Sequence, residues 1–153
     1  MRYDIISDTH GYLSPELLRA LEGADIIVHA GDICSESDYY KLCDIAMVHA
    51  CSGNNDYAYS YGPFVSRLTR FYSEGHRWEI CHYRERLDLE TCEIAICGHT
   101  HKPFVERDRR TGVLVMNPGS PTFPRSVGPT IGRIEIVDDR VETARIIRLD
   151  EGD

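Results

Sequence analysis

The chain has 153 residues, of which 42% are hydrophobic and 27% are charged, a composition typical of a globular domain. Its 25 acidic residues outnumber its 17 lysines and arginines, for a formal net charge of −8, so we expect no generic binding to nucleic acids or anionic membranes. The sequence has neither an apolar run near the roughly 20 residues that cross a bilayer nor a signal-peptide pattern, and we expect a cytoplasmic protein with a single domain over residues 1–153.

The first half of the chain alternates predicted strands and helices. Strands are predicted over 3–7 and 25–32, and a third lies within 45–56 and ends in a Gly-Asn-Asn-Asp loop. Helices are predicted over 13–23, where Ser14 and Pro15 match a helix start, and over 35–44, where Ser35 or Ser37 is the candidate N-cap. This β-α-β-α-β order favours parallel strands with crossover helices.

The second half of the chain is richer in strands. It contains predicted hairpins over 65–82 and 130–150, short helical structure over 84–92, and single strands over 93–99 and 112–120. Parallel units together with hairpins predict an α/β fold, namely a four-layer αββα sandwich of two mixed β-sheets.

Six cysteines occur without a C-x-x-C pair, which argues against a zinc ribbon or a redox motif. Cys51, Cys81 and Cys97 lie in or beside apolar strands. We therefore expect them to be small buried hydrophobic residues.

Polar side chains follow most of the predicted strands. In an open α/β sheet the carboxyl ends of the strands share one edge, so we expect these side chains to lie together. Carboxylate, amide and imidazole ligands suit first-row divalent ions, and seven of them suit a pair of ions better than one tetrahedral site. The candidate metal ligands are Asp8, His10, Asp32, Asn54, His82, His99 and His101.

The motifs SDTHG, GD, GNND, GHTHKP and NPGSPTFPR resemble those of the calcineurin-like metallophosphoesterase superfamily, and in particular its small YfcE-like phosphodiesterases, over residues 1 to about 125. The resemblance implies an αββα sandwich and a two-metal site. One metal would be held by Asp8, His10 and His101, the other by Asn54, His82 and His99, with Asp32 and a water or hydroxide bridging the two. The bridging hydroxide would attack phosphorus in line, which makes Asp8, Asn54 and His99 part of the catalytic centre.

Two positions depart from the family pattern. Asn55 replaces a histidine that often protonates the leaving group, and an amide cannot act as the general acid, whose contribution is typically about 10²–10⁴-fold. We therefore expect slow turnover of esters with poor leaving groups unless Asp56, His29 or a metal-bound water substitutes. The family's His-Gly-His is reduced to His82, which we prefer over His76 as the ligand.

Three residues are candidate substrate contacts: Asn55, Arg84 and Arg125. The Tyr-rich stretch 55–64 is expected either to close over a ligand or to form a contact within a homo-oligomer.

The expected function is a dinuclear-metal phosphoesterase that acts on a small phosphate ester, with phosphodiesters preferred. Mn²⁺ is the first candidate cofactor, with Ni²⁺, Fe²⁺ and Zn²⁺ as alternatives. The alternative function is a non-catalytic, metal-binding scaffold of the same fold, which would resemble the retromer scaffold subunit.

Overall fold

The computed structural model describes residues 1–125 and 127–151, which form ten strands, two α-helices and two 3₁₀ turns. The strands are β1 (Arg2–Ile6), β2 (Ile26–His29), β3 (Met47–Ala50), β4 (Leu68–Ser73), β5 (His76–Cys81), β6 (Ile94–Ile96), β7 (Phe104–Arg107), β8 (Leu114–Asn117), β9 (Thr130–Val137) and β10 (Arg140–Arg148). The helices are α1 (Pro15–Ala20) and α2 (Glu36–Ile45), and the 3₁₀ turns are Arg84–Arg86 and Leu149–Glu151.

The strands form two mixed sheets of five strands each. The first has the order β10-β9-β1-β2-β3, in which β1, β2 and β3 are parallel. The second has the order β4-β5-β6-β8-β7, in which β5, β6 and β8 are parallel and both edge strands are antiparallel. Each sheet therefore has a parallel centre whose strands end at one edge.

The two sheets face each other across the main hydrophobic core. Tyr3 of the first sheet and Trp78 of the second meet there, with ring centroids 4.5 Å apart. Ile5 and Val28 extend the core on one side, and Ile96 does so on the other. Because strand side chains alternate between faces, each central strand supplies every second residue to this layer.

Both α-helices cover the outer face of the first sheet. Each begins at a serine whose side chain accepts a hydrogen bond from a backbone N–H three residues on: Ser14 from Leu17 and Ser35 from Asp38, both at 3.1 Å. Leu17 and Leu42 then pack against the sheet. The predicted helix starts are confirmed.

The predicted αββα sandwich is confirmed, and its fourth layer is thin. Residues 84–92, which contain one 3₁₀ turn, cover the second sheet through Leu87 and Leu89. Strand β7 was not predicted, because its four residues form a half-exposed edge strand without clear alternation. The final hairpin turns at Asp138 and Asp139, as predicted, with φ of 50° and 62°.

Cys51, Cys81 and Cys97 are buried and free, as predicted. No helix in the described part of the chain is long and apolar enough to span a membrane. A single domain over 1–153 stays a prediction, and it includes residues 126, 152 and 153, which lie outside the described ranges.

Candidate metal centre

Four parallel strands deliver their following loops to one place. β1 leads to Asp8 and His10, and β2 leads to Asp32. From the opposite sheet, β5 leads directly to His82, and β6 leads to the loop that carries His101. The predicted ligands therefore cluster where the carboxyl ends of strands from both sheets meet.

The Asp8 carboxylate lies at the middle of this cluster. Its Oδ1 is 3.3 Å from His101 Nε2, 3.7 Å from His82 Nε2 and 3.8 Å from His10 Nε2. The Nε2 atoms of His10 and His101 are themselves 3.4 Å apart. Carboxylate oxygens and imidazole nitrogens therefore point into a common volume.

The ligand atoms fall into two groups, each compact enough for one ion. Asp8, His10 and His101 make one group, and Asp8, Asp32 and His82 make the other, with all ligand atoms of a group within 4.8 Å of one another. Asp32 also reaches both sides, because its Oδ2 is 3.7 Å from His10 Nε2 and 3.4 Å from His82 Nε2. Both Asp8 and Asp32 thus lie between the two groups, whereas the prediction placed only Asp32 there.

Two atoms of the cluster are buried without a hydrogen-bond partner in the described part of the chain: Asp8 Oδ1 and His82 Nε2. Leaving a buried polar atom unpaired costs about 1–3 kcal/mol, and more for a charged group. Both atoms are electron-pair donors of the kind that binds a divalent cation. The residues present therefore fit a metal site.

Hydrogen bonds on the far side of two imidazoles fix the direction of their lone pairs. His82 Nδ1 donates to the carbonyl of Ala30 at 2.7 Å, and His101 Nδ1 donates to the carbonyl of Phe123 at 2.6 Å. Each neutral ring then carries its lone pair on Nε2, the atom directed at Asp8. Such partners are typical of metal-binding histidines.

The charged groups of the cluster shift one another's pKa values. Burial opposes ionisation of Asp32, but the neighbouring His82 imidazole and the hydrogen bonds from Asn55 outweigh burial and lower the pKa of this carboxyl. Burial likewise opposes protonation of His82, but Asp32 and Asp8 raise its pKa overall. The Asp8 carboxylate, whose Oδ1 lies 3.3 Å from His101 Nε2, raises the pKa of His101. Protons on these imidazoles offset the negative charge, so metal binding should release protons and weaken as the pH falls.

The loops that carry the ligands have left-handed backbone conformations. Positive φ is uncommon outside glycine and costs of the order of 1–3 kcal/mol in strained cases, which concentrate at functional sites. Five predicted ligands adopt it: Asp8 at 57°, His10 at 51°, Asp32 at 60°, His99 at 71° and His101 at 62°.

Two glycines let these loops approach the carboxylates. A Cβ on Gly98 would overlap Ser7 Oγ and lie 2.8 Å from Asp8 Oδ2, and one on Gly53 would overlap Asp32 Oδ1. The glycine of the G-H and G-N motifs is thus required by close packing against a carboxylate of the candidate metal centre.

The remaining predicted ligands, Asn54 and His99, are exposed at the edge of the cluster. The His99 backbone N–H donates to Asp8 Oδ2 at 3.0 Å, and its ring centroid is 5.1 Å from that of His82. Asn54 lies between Gly53 and Asn55, both of which contact Asp32. His76, the rival to His82, lies at the opposite end of β5.

Asn55 binds the Asp32 carboxylate. Its backbone N–H donates to Oδ1 at 2.9 Å and its side-chain Nδ2 donates to Oδ2 at 3.0 Å. The residue that replaces the family's histidine therefore orients a predicted metal ligand. Its predicted contact with substrate stays a prediction.

The geometry does not support Asp56 as a substitute general acid. Asp56 is buried, and its oxygens accept hydrogen bonds from the backbone N–H groups of Asp32, Gly53 and Cys34 at 2.7, 2.7 and 2.9 Å. The Tyr61 hydroxyl donates a further hydrogen bond at 2.8 Å. Both carboxylate oxygens of Asp56 are therefore engaged in holding this loop, and we assign Asp56 a positioning role.

The two predicted arginine contacts lie in different surroundings. The Arg84 guanidinium pairs with Glu106 and lies 4.8 Å from the centroid of the Phe104 ring, which gives its predicted substrate contact no support. The charge of Arg125 lies close enough to His101 to oppose its protonation. Arg125 thus remains the better candidate to contact an anionic substrate.

Several residues that hold the ligand loops were missed from sequence. Ser7 Oγ donates to Asp8 Oδ2 at 2.6 Å, and Ser120 Oγ donates to the Asp8 carbonyl at 2.8 Å. Asn117 Nδ2 donates to the Gly98 carbonyl at 3.0 Å. Their presence in the SDTHG and NPGS motifs was the available signal. Ser120 is 112 residues from Asp8, and Asn117 is 19 residues from Gly98, which follows the neighbouring strand, so spacing alone could not identify these two contacts.

His29 is a neutral structural histidine beneath the centre. It is fully buried, its Nδ1 accepts a hydrogen bond from the Gly31 N–H at 3.1 Å, and its Nε2 lies 2.9 Å from Thr9 Oγ1. Because Nδ1 accepts, Nε2 carries the proton and donates to Thr9. Burial lowers the pKa of His29 to about 4, so His29 is not placed as a leaving-group acid.

This histidine should make the metal-free protein less stable in acid. Between about pH 6.5, the usual histidine pKa, and about pH 4, the unfolded chain binds the proton and the folded chain does not. The free energy of unfolding should therefore fall as the pH drops through this window, by up to roughly 3 kcal/mol from this group. Urea unfolding in chelator at pH 7 and pH 5 should show a smaller fall for His29→Asn than for the wild type. An identical fall in both proteins would contradict the assignment, and His76→Asn is the control.

Comparison with known proteins identifies the family. The calcineurin-like phosphoesterase superfamily domain matches residues 1–139. The chain is 31% identical to a probable metallophosphoesterase of Methanocaldococcus jannaschii over an alignment of 163 residues that covers 99% of this chain and 83% of the relative. The chain therefore belongs to the calcineurin-like phosphoesterase superfamily, as its motifs indicated.

Solved structures share the fold. An archaeal phosphodiesterase matches with a TM-score of 0.75 and 23% identity, over 96% of this chain and all of the other. Vps29 of Entamoeba histolytica, solved in complex with Zn²⁺, matches with a TM-score of 0.72 and 21% identity, over 96% of this chain and 97% of the other. At these identities the likeness shows the αββα architecture alone.

Proposed function

We propose that this protein is a dinuclear-metal phosphoesterase that hydrolyses phosphodiesters. The observation that carries the proposal is the buried cluster around Asp8, in which Asp8 Oδ1 and His82 Nε2 have no other partner in the described part of the chain. His10 and His101 would hold the first ion with Asp8, and Asn54, His82 and His99 the second, with Asp32 between them. We keep Mn²⁺ as the first candidate and Ni²⁺, Fe²⁺ and Zn²⁺ as alternatives.

Two bound divalent ions would stabilise charge on the phosphoryl oxygens and activate a water at neutral pH. The contributions of the chain follow from its hydrogen bonds. Ser7 and the His99 N–H orient Asp8, and Asn55 orients Asp32. Arg125 brings a positive charge to the side of His101, where an anionic ester would approach.

None of the three residues considered for protonation of the leaving group is placed for that role. Asn55 is an amide bonded to Asp32, Asp56 is bonded to backbone N–H groups, and His29 is buried and neutral. We therefore infer a preference for esters with good leaving groups. The cytoplasmic location and the homo-oligomer or ligand-closing role of residues 55–64 stay predictions.

The proposal is tested with bis-p-nitrophenyl phosphate and Mn²⁺. Asn54→Ala and His99→Ala should each lower kcat/KM by at least about 100-fold. Mutation of a residue that only supports a metal ligand already lowers metal affinity or activity by typically about 10–100-fold, and loss of a ligand should cost more. His76→Ala is the matched control, since His76 lies at the far end of β5, where its Nδ1 bonds the Glu74 carbonyl at 2.8 Å. Unchanged turnover in either ligand variant would sink the proposal. Tight metal binding without turnover of any ester would favour the scaffold alternative.

A further inference from the structure

A cavity of about 240 Å³ lies beside the candidate metal centre. We call it the tyrosine pocket. Its walls include Gly53, Asp56, Tyr57, Tyr59, Tyr61 and Arg67. Pockets for whole drug-sized ligands usually measure about 300–1,000 Å³, so this one suits part of a larger molecule.

The pocket shares a wall with the metal centre. Gly53 lines the pocket and also lies directly against the Asp32 carboxylate. Asp56 lines the pocket and accepts hydrogen bonds from the backbone of both Gly53 and Asp32. The predicted ligand Asn54 follows Gly53 in the chain. The loop of residues 53–56 therefore separates the pocket from the candidate metal centre.

The inner wall of the pocket is rigid. Tyr61 is buried, and its hydroxyl donates to Asp56 Oδ1 at 2.8 Å. Its ring centroid lies 5.3 Å from that of Tyr39 and 6.3 Å from that of Tyr59, and the ring planes of Tyr59 and Tyr61 differ by 18°. Tyr61 is thus held in place by Asp56 and Tyr39, and it supports the Tyr59 ring that stacks on it.

The outer wall is aromatic and exposed. The exposed fraction is 88% for Tyr57 and 40% for Tyr59, so neither ring serves the hydrophobic core. Rigid aromatic rings bind planar groups, including nucleic-acid bases, by stacking.

Arg67 adds a positive charge to the pocket. Its side chain is exposed, and within residues 1–125 and 127–151 it has no hydrogen bond or ion pair. On a protein with a net charge of −8, an unengaged guanidinium beside stacked rings selects for a planar group that carries an anion.

We propose that the tyrosine pocket binds the nucleoside part of a nucleoside phosphodiester. The base stacks on Tyr59, a second phosphate pairs with Arg67, and the ester phosphate reaches the metal centre. This inference rests on the proposed function, and it gives the substrate class of the same site.

The test uses diesters that share one leaving group, p-nitrophenolate, and differ in the retained group: methyl, phenyl, thymidin-5′-yl, and thymidin-5′-yl with a 3′-phosphate. The wild type should show a kcat/KM at least about 10-fold higher for the thymidinyl than for the methyl ester. Tyr59→Ala should lower that ratio about 10-fold, and Arg67→Gln should remove the gain from the 3′-phosphate. Tyr72→Ala, an exposed tyrosine on β4, should keep both ratios.

Equal kcat/KM of the wild type for the methyl and thymidinyl esters would overturn the proposal. A kcat/KM for the phenyl ester that equals those for both thymidinyl esters would also overturn it. Turnover of no ester would instead reject the proposed function. The pocket is then judged by calorimetric titration with thymidine 3′,5′-bisphosphate. Binding that Arg67→Gln weakens about 10-fold would support the pocket, and absence of binding to the wild type would reject it.

Discussion

Asp8→Asn is expected to abolish metal binding and to lower phosphodiester turnover at least about 10³-fold. Asp8 Oδ1 lies within 3.8 Å of three imidazole Nε2 atoms and belongs to both ligand groups, so its charge serves both ions. The asparagine keeps the shape of the side chain but removes the charge, and its amide can donate to a neighbouring Nε2. The metal-free variant should therefore be at least as stable as the metal-free wild type.

Thermal unfolding with and without Mn²⁺ separates the two effects. At a metal concentration of 100 times Kd, binding stabilises a protein by about 2.7 kcal/mol, which corresponds to a rise in Tm of about 5–10 °C for a chain of this size. The wild type should show this rise and Asp8→Asn should not. Asp44→Asn, an exposed change on α2, should behave like the wild type. A variant that keeps the metal-dependent rise would contradict the assignment of Asp8.

Asp56→Asn is expected to have the second largest effect, because it damages the loops of both Asp32 and Asn54 at once. Asp56 Oδ2 accepts hydrogen bonds from the N–H groups of Asp32 and Gly53, both at 2.7 Å. An asparagine cannot accept at both side-chain positions, so at least one buried N–H group is left unpaired. We expect the free energy of unfolding to fall by about 3 kcal/mol and metal affinity to fall about 10–100-fold.

Tyr61→Phe is the graded comparison for Asp56→Asn. It removes one hydrogen bond to Asp56 and leaves the carboxylate in place. The expected loss of stability is about 1 kcal/mol. Urea unfolding measures the stability of both variants, and calorimetry measures Mn²⁺ affinity. If Asp56→Asn costs no more than Tyr61→Phe, the carboxylate is not the residue that positions these loops.

Residue patterns predicted most of the architecture because the elements are locally encoded. Ser14 and Ser35 mark the helix starts, and apolar runs mark the central strands. Strand β7 escaped because a short edge strand is stabilised by pairing with β8, which no local pattern records. The outer layer over 84–92 is likewise held by long-range contacts such as Asp88 and Thr91 with Glu79.

The candidate ligands were accessible from sequence because each follows a strand or a glycine. Their supports were not, since Ser120 contacts Asp8 from 112 residues away. The sequence patterns also did not predict the direction in which side chains point. Arg84 points to Glu106, and Asp56 points to backbone N–H groups.

The most direct measurement is anomalous X-ray diffraction from crystals grown with Mn²⁺. The account predicts two manganese peaks, about 3.5–4 Å apart as in other two-metal sites, with Asp32 between them. Asn54 and His99, which are exposed at the edge of the cluster, should both coordinate the second ion. A single peak, or a second ion that contacts neither residue, would contradict the account.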